Sequence, residues 1–291
     1  MHSLEAIEAQ SGRTVRVGER DIFVVELGEG PPLVMLHGGG PGAIGLSNFS
    51  RNIPSLARRF RLIVPDLPGY GRSTKGLDRK DPFGDLARSI LGLLDALGVA
   101  RAHLLGNSLG GACALRLALE APTRVDRLVL LGPGGIDASR RPPTEGLLHL
   151  LDYYSGEGPT HEKFEQFLRK DLVFDGAALP DDLIETRYAA SLDPEVVANP
   201  PLVRPKDLPD PRVLDLTLDS RLGGLQSPTL VLWGVEDRVN PASGGPSLQE
   251  RMPNCDLYLF SRTGHWVQWE RAAEFNAATI AHLSQPSSGQ G

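Results

Sequence analysis

The motif G-N-S-L-G at positions 106–110 has the residue types and spacing of a nucleophilic serine. An apolar run at 102–105 precedes it, and an apolar-periodic helix pattern follows it. A strand, a sharp turn and a helix in this order expose a serine hydroxyl, and the flanking glycines leave the space that such a turn needs. The helix start would direct unpaired N–H groups and its positive dipole end toward an oxyanion. An ordinary glycine-rich turn is the alternative among 33 glycines, although this is the only G-x-S-x-G in the chain.

A serine hydroxyl needs a positioned base to remove its proton, and that base needs an acid to orient it. Asp237 and His265 each follow a strand-like run, in TLVLWGVEDRVNP and LYLFSRTGHWVQWE, and so stand in the chain order serine, acid, histidine. Glu236 would point away if Asp237 points inward, and Asp137 is the less favoured acid. The sequence therefore predicts a catalytic triad of Ser108, Asp237 and His265.

Stabilising a developing oxyanion requires two backbone N–H donors. We expect one from Leu109, directly after the nucleophile, and one from Gly39 in the glycine-rich loop H-G-G-G-P-G at 37–42. Gly40 would supply a second amide to a carboxylate or carbonyl of the substrate. His37 is expected to hold this loop together rather than to transfer protons.

The elements that must position these residues are short apolar runs alternating with helix patterns. This rhythm predicts an α/β protein with a mostly parallel central sheet and helices on both faces. The clearest helix runs from about Asp81 to Leu97, with Asp81 as its cap and Gly98 after its end. The predicted strands are Ile22–Glu26, Leu33–Leu36, Arg61–Val64, Ala102–Leu105, Arg127–Leu131, Thr229–Trp233 and Asp256–Phe260.

Between residues 134 and 209 strand-like runs vanish, prolines multiply, and helical patterns occur at Glu162–Lys170 and Asp181–Ala190. A structureless loop of this length would be unusual in a compact chain. We therefore expect a helical lid at 134–209, inserted between the two parts of one core domain, 1–133 and 210–284. A polar tail at 285–291 is expected to be disordered.

Composition excludes several classes of protein. The formal net charge is −6, and no basic stripe occurs, which argues against a nucleic-acid partner. The two cysteines, Cys113 and Cys255, form neither a metal motif nor a disulfide framework. Residues 1–14 lack the apolar run of a secretory signal, and no apolar stretch could span a bilayer. We expect a soluble cytoplasmic enzyme that binds no metal, organic cofactor or membrane.

Four segments together resemble the meta-cleavage product hydrolases of the α/β-hydrolase superfamily, which cleave a carbon–carbon bond in 2-hydroxy-6-oxo-hexa-2,4-dienoates. The resemblance covers most of the chain and is weakest in the lid. H-G-G-G-P-G with S-N-F-x-R-N, and G-H-W-x-Q-W-E, are far more selective than G-x-S-x-G. The segments are HGGGPGAIGLSNFSRN (37–52), LLGNSLGGACAL (104–115), LVLLGPGG (128–135) and GHWVQWE (264–270).

The resemblance implies substrate-binding roles for polar residues outside the triad. Arg187 stands where the family places an arginine and could hold the carboxylate or enolate end. Asn48 and Asn107 can donate to the substrate oxygens, while Trp266 can pack on the planar diene and donate its indole N–H. The alternatives are a surface arginine in the lid, a loop-capping Asn48 and a Trp266 that belongs to the core.

The resemblance also implies a two-part reaction, in which the bound dienol becomes a ketone with help from His265 and the C6 carbonyl is then attacked. Attack by Ser108 and attack by water that His265 activates both remain open, as does the C6 substituent, which could be phenyl, alkyl or steroid-derived. Relatives often self-associate, so a homo-oligomer is expected. A carboxylesterase or iminopeptidase-like enzyme is the first alternative function, and a slow-turnover ligand receptor is the second.

Overall fold

The computed structural model describes residues 4–205 and 210–285. Within them, eight strands form one sheet. Their bounds are β1 Gly12–Val17, β2 Arg20–Leu27, β3 Pro32–Leu36, β4 Arg61–Pro65, β5 Ala102–Asn107, β6 Val125–Leu131, β7 Thr229–Gly234 and β8 Cys255–Phe260.

The strand order is β1-β2-β4-β3-β5-β6-β7-β8. The β1–β2 and β2–β4 pairs are antiparallel, and every other neighbouring pair is parallel. The predicted mostly parallel α/β sheet is therefore confirmed. Because β3 and β5 to β8 run in one direction, the loops after them meet at one edge of the sheet.

All seven predicted strands are present, but β1 was missed. Its residues, GRTVRV, include one buried position, Val15, among exposed and partly buried ones, and they form no apolar run. An antiparallel edge strand needs only one apolar face, whereas the parallel strands β3, β5 and β7 are almost entirely buried.

Helices cover both faces of the sheet. The predicted helix at 81–97 is α4, where the Asp81 carboxylate caps the first turn by accepting from the Gly84 N–H. The α-helices are α1 Leu4–Ser11, α2 Gly45–Asn48, α3 Ile53–Leu56, α4 Pro82–Ala96, α5 Leu109–Glu120, α6 Glu145–Asp152, α7 His161–Glu165, α8 Asp181–Ser191, α9 Pro194–Ala198, α10 Pro211–Leu214, α11 Gly244–Arg251, α12 Val267–Glu270 and α13 Ala272–Leu283. Among the described residues, no helix has the length and apolar character that a membrane crossing requires.

Residues 132–228, which connect β6 to β7, are called the inserted segment below. Its described part contains helices α6 to α10 and no strand. The predicted helix at Glu162–Lys170 needs a correction: α7 ends at Glu165, and a π-helix runs from Gln166 to Leu172. A π-helix has a wider turn than an α-helix, so different side chains share a face. The α-helical periodicity used to read the sequence therefore did not reveal the π-helix.

The inserted segment has its own apolar cluster, which reaches the loops after β7 and β8. Phe167, Leu172 and Ile184 of the segment pack in one buried group with Val239 and Trp266. This packing places part of the inserted segment over the sheet edge where the predicted functional residues lie. The predicted lid boundary at 209 and most of the predicted tail, 286–291, lie outside the described residues.

Candidate active site

Ser108 lies in the sharp turn between β5 and α5. Its φ of 53° and ψ of −112° are strained for a residue with a side chain. A Cβ at Gly106 would lie 2.3 Å from the carbonyl oxygen of Gly110, and one at Gly110 would lie 2.2 Å from that of Leu36. Both glycines of the motif are therefore required by close backbone contacts.

Asp237 and His265 are joined by a hydrogen bond at the ends of β7 and β8. The distance from His265 Nδ1 to Asp237 Oδ2 is 2.7 Å, and both side chains are buried. The other carboxylate oxygen, Oδ1, accepts the N–H groups of Val239 at 2.8 Å and Asn240 at 2.9 Å. Because the carboxylate accepts from Nδ1, that nitrogen carries the proton, and Nε2 is left with a lone pair for a base.

The indole of Trp233 also fixes the acid. Its Nε1–H donates to Asp237 Oδ2 at 3.0 Å and is shared with the carbonyl oxygen of Asn240 at 2.9 Å. Asp237 thus accepts hydrogen bonds at both oxygens, which is typical of an ionised carboxylate. The other proposed acid, Asp137, accepts from Thr217 Oγ1 instead.

The loop at 37–42 follows β3 and meets the inserted segment through its backbone. A Cβ at Gly40 would lie 3.0 Å from an Nη atom of Arg187, and one at Gly42 would lie 2.0 Å from the carbonyl oxygen of Arg187. Gly42 also has a φ of 63°. Only glycine fits at position 42, and the loop is thereby held against α8.

His37 has the contacts expected of a residue that holds this loop. Its Nε2 accepts the N–H of Leu67 at 2.9 Å, so Nδ1 is the donor to the Gly38 carbonyl oxygen at 2.8 Å. Burial lowers the pKa of His37 to about 4. The side chain is therefore neutral near pH 7, with both ring nitrogens already used.

Arg187 of α8 is a buried cation, only 3% exposed. One Nη donates to the Pro41 carbonyl oxygen at 3.0 Å, and Nε has no hydrogen-bond partner among the described residues. No carboxylate of the described chain forms an ion pair with it. Burial lowers its pKa to about 10, so it remains charged at neutral pH.

Two stacked indoles lie beneath this guanidinium. The Arg187 Cζ lies 5.0 Å from the centre of the Trp266 ring, and Trp266 is stacked on Trp269 at 5.7 Å and 8°. On Trp269, the Arg51 Cζ lies 3.8 Å from the ring centre. The two indole rings thus form a stack with a cation at each end, in the spatial order Arg187, Trp266, Trp269 and Arg51.

The two asparagines and the indole that the family resemblance assigns to substrate binding lie near one another at the site. The Trp266 indole N–H, expected to donate to substrate, donates to Asn48 Oδ1 at 3.2 Å. This contact leaves the buried Asn48 Nδ2 without a partner among the described residues. The Asn107 Nδ2 makes a long contact of 3.4 Å to the Leu131 carbonyl oxygen.

One cavity brings these groups together. Its lining contains eight of the ten residues singled out from the sequence, together with three apolar side chains of the inserted segment. The other two are Asp237, which hydrogen-bonds to His265, and Leu109, which was expected to act through its backbone N–H. Its lining residues are Gly38, Gly39, Gly40, Asn48, Asn107, Ser108, Leu150, Phe167, Leu172, Arg187, His265 and Trp266.

Comparison with known proteins shows the family to which this chain belongs. The family described as alpha/beta hydrolase fold matches residues 31–186. A 2-hydroxy-6-oxo-6-phenylhexa-2,4-dienoate hydrolase of Burkholderia cepacia is 38% identical over 290 residues, covering 96% of this chain and 99% of the relative. The chain belongs to the meta-cleavage product hydrolases.

Further relatives of this family differ in the substrate that their names carry. A 2-hydroxy-6-oxononadienedioate/2-hydroxy-6-oxononatrienedioate hydrolase of Comamonas testosteroni is also 38% identical, over 96% of this chain and 99% of its own length. Among solved structures, the phenylhexadienoate hydrolase of Rhodococcus sp. strain RHA1 has a TM-score of 0.85 and 28% identity, covering 94% of this chain and 98% of that chain.

Sequence reasoning missed the apolar wall of this meta-cleavage product hydrolase site. Leu150 lies on α6, and Phe167 and Leu172 lie on the π-helix. The sequence shows only that these residues are apolar, which gives no signal that their side chains face a cavity.

Proposed function

We propose that the chain hydrolyses the C5–C6 bond of a 2-hydroxy-6-oxo-hexa-2,4-dienoate formed in aromatic or steroid catabolism. The names of its relatives support this reaction class. Such a substrate is a planar anion, with a carboxylate and an oxygen at C2 at one end and a ketone at C6.

The observation that carries the proposal is the buried cation Arg187, which forms no ion pair among the described residues. A buried charge without an ion-pair partner is costly, and a bound anion would supply that partner. A simple ester needs no such group. The Asn48 Nδ2, which has no hydrogen-bond partner among the described residues, and the Gly40 backbone offer further donors near it, while Trp266 provides a flat apolar surface for the diene.

In the proposed reaction, Ser108, Asp237 and His265 form the triad. A proton is first placed on C5 with the assistance of His265, which converts the dienol into its keto form. The Ser108 hydroxyl, deprotonated by His265 Nε2, then attacks the C6 carbonyl carbon. The N–H groups of Gly39 and Leu109 stabilise the resulting oxyanion.

Collapse of that intermediate breaks the C5–C6 bond. The electron pair remains on the five-carbon fragment, which leaves as a 2-hydroxypenta-2,4-dienoate after it is protonated. Water activated by His265 then releases the other fragment from Ser108 as a carboxylic acid. Attack of His265-activated water on C6 is the other route, and it forms no acyl-enzyme.

The cavity favours an uncharged C6 substituent. It offers one guanidinium for one carboxylate, and the side chains that the inserted segment adds to its lining, apart from Arg187, are Leu150, Phe167 and Leu172. A dienedioate would bring a second carboxylate, and the described residues of the lining include no second arginine or lysine. Of the two substrate types named for the relatives, the phenyl type fits this wall better.

Residues 134–209 are proposed as the lid of a core formed by 1–133 and 210–284. The packing of α8 and the π-helix over the sheet edge supports this division. A homo-oligomer also remains a proposal; the edge strand β8 supports it, because Tyr258 and Leu259 are exposed there beside Val235. A cytoplasmic location is consistent with the free thiols of Cys113 and Cys255.

The test is loss of visible absorbance from yellow 2-hydroxy-6-oxo-dienoates with phenyl, alkyl and carboxylate-bearing C6 groups, with p-nitrophenyl acetate as the ester control. We expect rapid bleaching, fastest with phenyl. Ser108→Ala should still bind the dienoate, seen as a spectral change, but lose turnover by about 10⁴-fold or more.

Fast ester hydrolysis with no bleaching of any dienoate would contradict the proposal and favour the esterase alternative. Tight binding to the unaltered protein with less than one turnover would favour the receptor. Mass spectrometry of rapidly quenched reactions separates the two routes, since only serine attack adds an acyl group to Ser108.

A further inference from the structure

Glu270 is the last residue of α12 and does not line the cavity. Its side chain contacts two backbone segments beside the cavity, one next to His265 and one in the inserted segment. Its Oε1 accepts the N–H of Gly264 at 2.9 Å, directly before His265. Its Oε2 accepts the N–H of Phe174 at 2.8 Å, just beyond the π-helix of the inserted segment. One carboxylate thus joins two backbone segments that are 90 residues apart in the chain.

The two segments run in direct backbone contact at this point. Residues 261–266 are called the base loop and residues 172–174 the strap. The His265 N–H donates to the Leu172 carbonyl oxygen at 2.8 Å. A Cβ at Gly264 would lie 2.7 Å from the carbonyl carbon of Val173, so only glycine permits this approach.

The two ends of the strap contact different parts of the site. Leu172 contributes to the wall of the cavity, and Phe174 is tied through Glu270 to the loop that carries the base. Without the carboxylate, the N–H groups of Gly264 and Phe174 would both lose their acceptor. The strap would keep the hydrogen bond from the His265 N–H and that from Arg238 to the Val173 carbonyl oxygen, and only the first of these comes from the base loop.

The charge on Glu270 is balanced by backbone N–H groups alone among the described residues, with no salt bridge to a cation. Burial raises the pKa of Glu270 to about 7, and the nearby negative charge of Asp237 adds to this. Such a placement costs stability, which points to a role beyond that of a surface acid.

We propose that Glu270 is a positioning residue, which holds His265 in its catalytic orientation by fastening the base loop to the strap. The lid and the base then move as one unit, so His265 is aligned only while Leu172 closes the cavity. The proposal rests on the triad of the proposed function for its kinetic consequence, but the fastening itself is independent of the substrate.

Glu270→Gln tests it with little change in shape. The amide keeps one oxygen acceptor and turns an NH₂ donor toward the other backbone N–H, so one of the two bonds is lost. Glu236→Gln is the matched control. Glu236 Oε2 accepts the N–H of Thr263 in the base loop at 2.9 Å, and its side chain forms no hydrogen bond with the strap. The amide oxygen of the Gln variant can retain that single bond.

For Glu270→Gln we expect kcat to fall about 10-fold or more on both the dienoate and p-nitrophenyl acetate, because small misplacements of a catalytic group are costly. The KM for the dienoate should stay within about threefold, since Arg187 is untouched. Hydrogen exchange should accelerate together in peptides covering the strap and the base loop. Glu236→Gln should change neither kcat nor exchange of the strap.

A kcat for Glu270→Gln within about twofold of the unaltered enzyme would overturn the proposal, as would an equal loss in Glu236→Gln. If Glu270→Gln does not fold, residue-level exchange of the unaltered protein decides: equal protection of the Phe174 and Gly264 amides supports joint release, and a more than tenfold difference overturns it. The ester assay and hydrogen exchange remain informative even if no dienoate is cleaved.

Discussion

The two sides of the cavity are built on opposite principles. Around Asp237, both carboxylate oxygens have donors, and the histidine tautomer is fixed by the protein itself. Around Arg187, one Nη has a backbone acceptor, while Nε and the neighbouring Asn48 Nδ2 have no partner among the described residues. The first side is internally satisfied, and the second is incomplete.

The difference teaches which task each side is suited to. Groups that must transfer protons gain from a fixed orientation before the substrate arrives. Groups that must bind an anion gain from unmet hydrogen-bonding capacity, because the substrate then competes with no internal partner. Stability supplied by the rest of the fold offsets the cost of the incomplete side.

Asp237→Asn should have the largest effect, because it changes the fully hydrogen-bonded side of the cavity. An amide NH₂ facing His265 Nδ1 favours the wrong tautomer, so kcat should fall about 10⁴-fold on dienoate and ester alike. Steady-state assays on both substrates measure this. Asp137→Asn is the matched control and should retain activity; if it caused the larger loss, the acid would have to be reassigned.

Arg187→Gln breaks the incomplete side alone. Loss of a charged donor to the substrate carboxylate should lower kcat/KM for the dienoate by about 10- to 100-fold. The value for p-nitrophenyl acetate should change little, and the free energy of unfolding should not fall, because an unpaired buried charge has been removed. Arg169→Gln, which removes another arginine of the inserted segment, is the control; equal losses on both substrates in Arg187→Gln would instead indicate a structural role.

The pH dependence of the free energy of unfolding gives a further test, through His37. Its pKa of about 4 in the fold lies below the ordinary value of 6.5, so the unfolded chain takes up the proton first as pH falls. This contribution to stability is complete above pH 6.5 and is lost toward pH 4, amounting to about 2 kcal/mol between pH 7 and pH 5.

Urea unfolding at both pH values checks this, with His37→Gln as the reference that lacks the titrating group. The pH dependence of the unaltered protein should exceed that of the variant by the stated amount. The same dependence in both proteins would contradict a neutral buried His37.

Much of the fold was predictable because buried parallel strands are apolar along their whole length. The strand β1 was not predicted, because its sequence, GRTVRV, contains no continuous apolar run. The contact between Asp237 and His265 followed from chain order, as residues after neighbouring parallel strands meet at one edge. The π-helix was not predicted because its side chains do not follow the face periodicity of an ordinary α-helix.

The binding side was predictable only in residue type. Resemblance placed Arg187 near the substrate, but the absence of an ion-pair partner among the described residues depends on how α8 packs against the loop at 37–42. The indole bond from Trp266 to Asn48 was likewise invisible, because it joins side chains 218 residues apart.

The stacked indoles have a spectroscopic consequence. The chain contains three tryptophans; Trp233 donates to Asp237, the acid of the proposed triad, and Trp266 and Trp269 form the ring pair next to Arg187. Tryptophan emission from this protein therefore originates entirely at the candidate site. Coupling between the two near-parallel rings also contributes a signal to the circular dichroism of the protein. The unlabelled molecule carries its own optical probe of cavity occupancy.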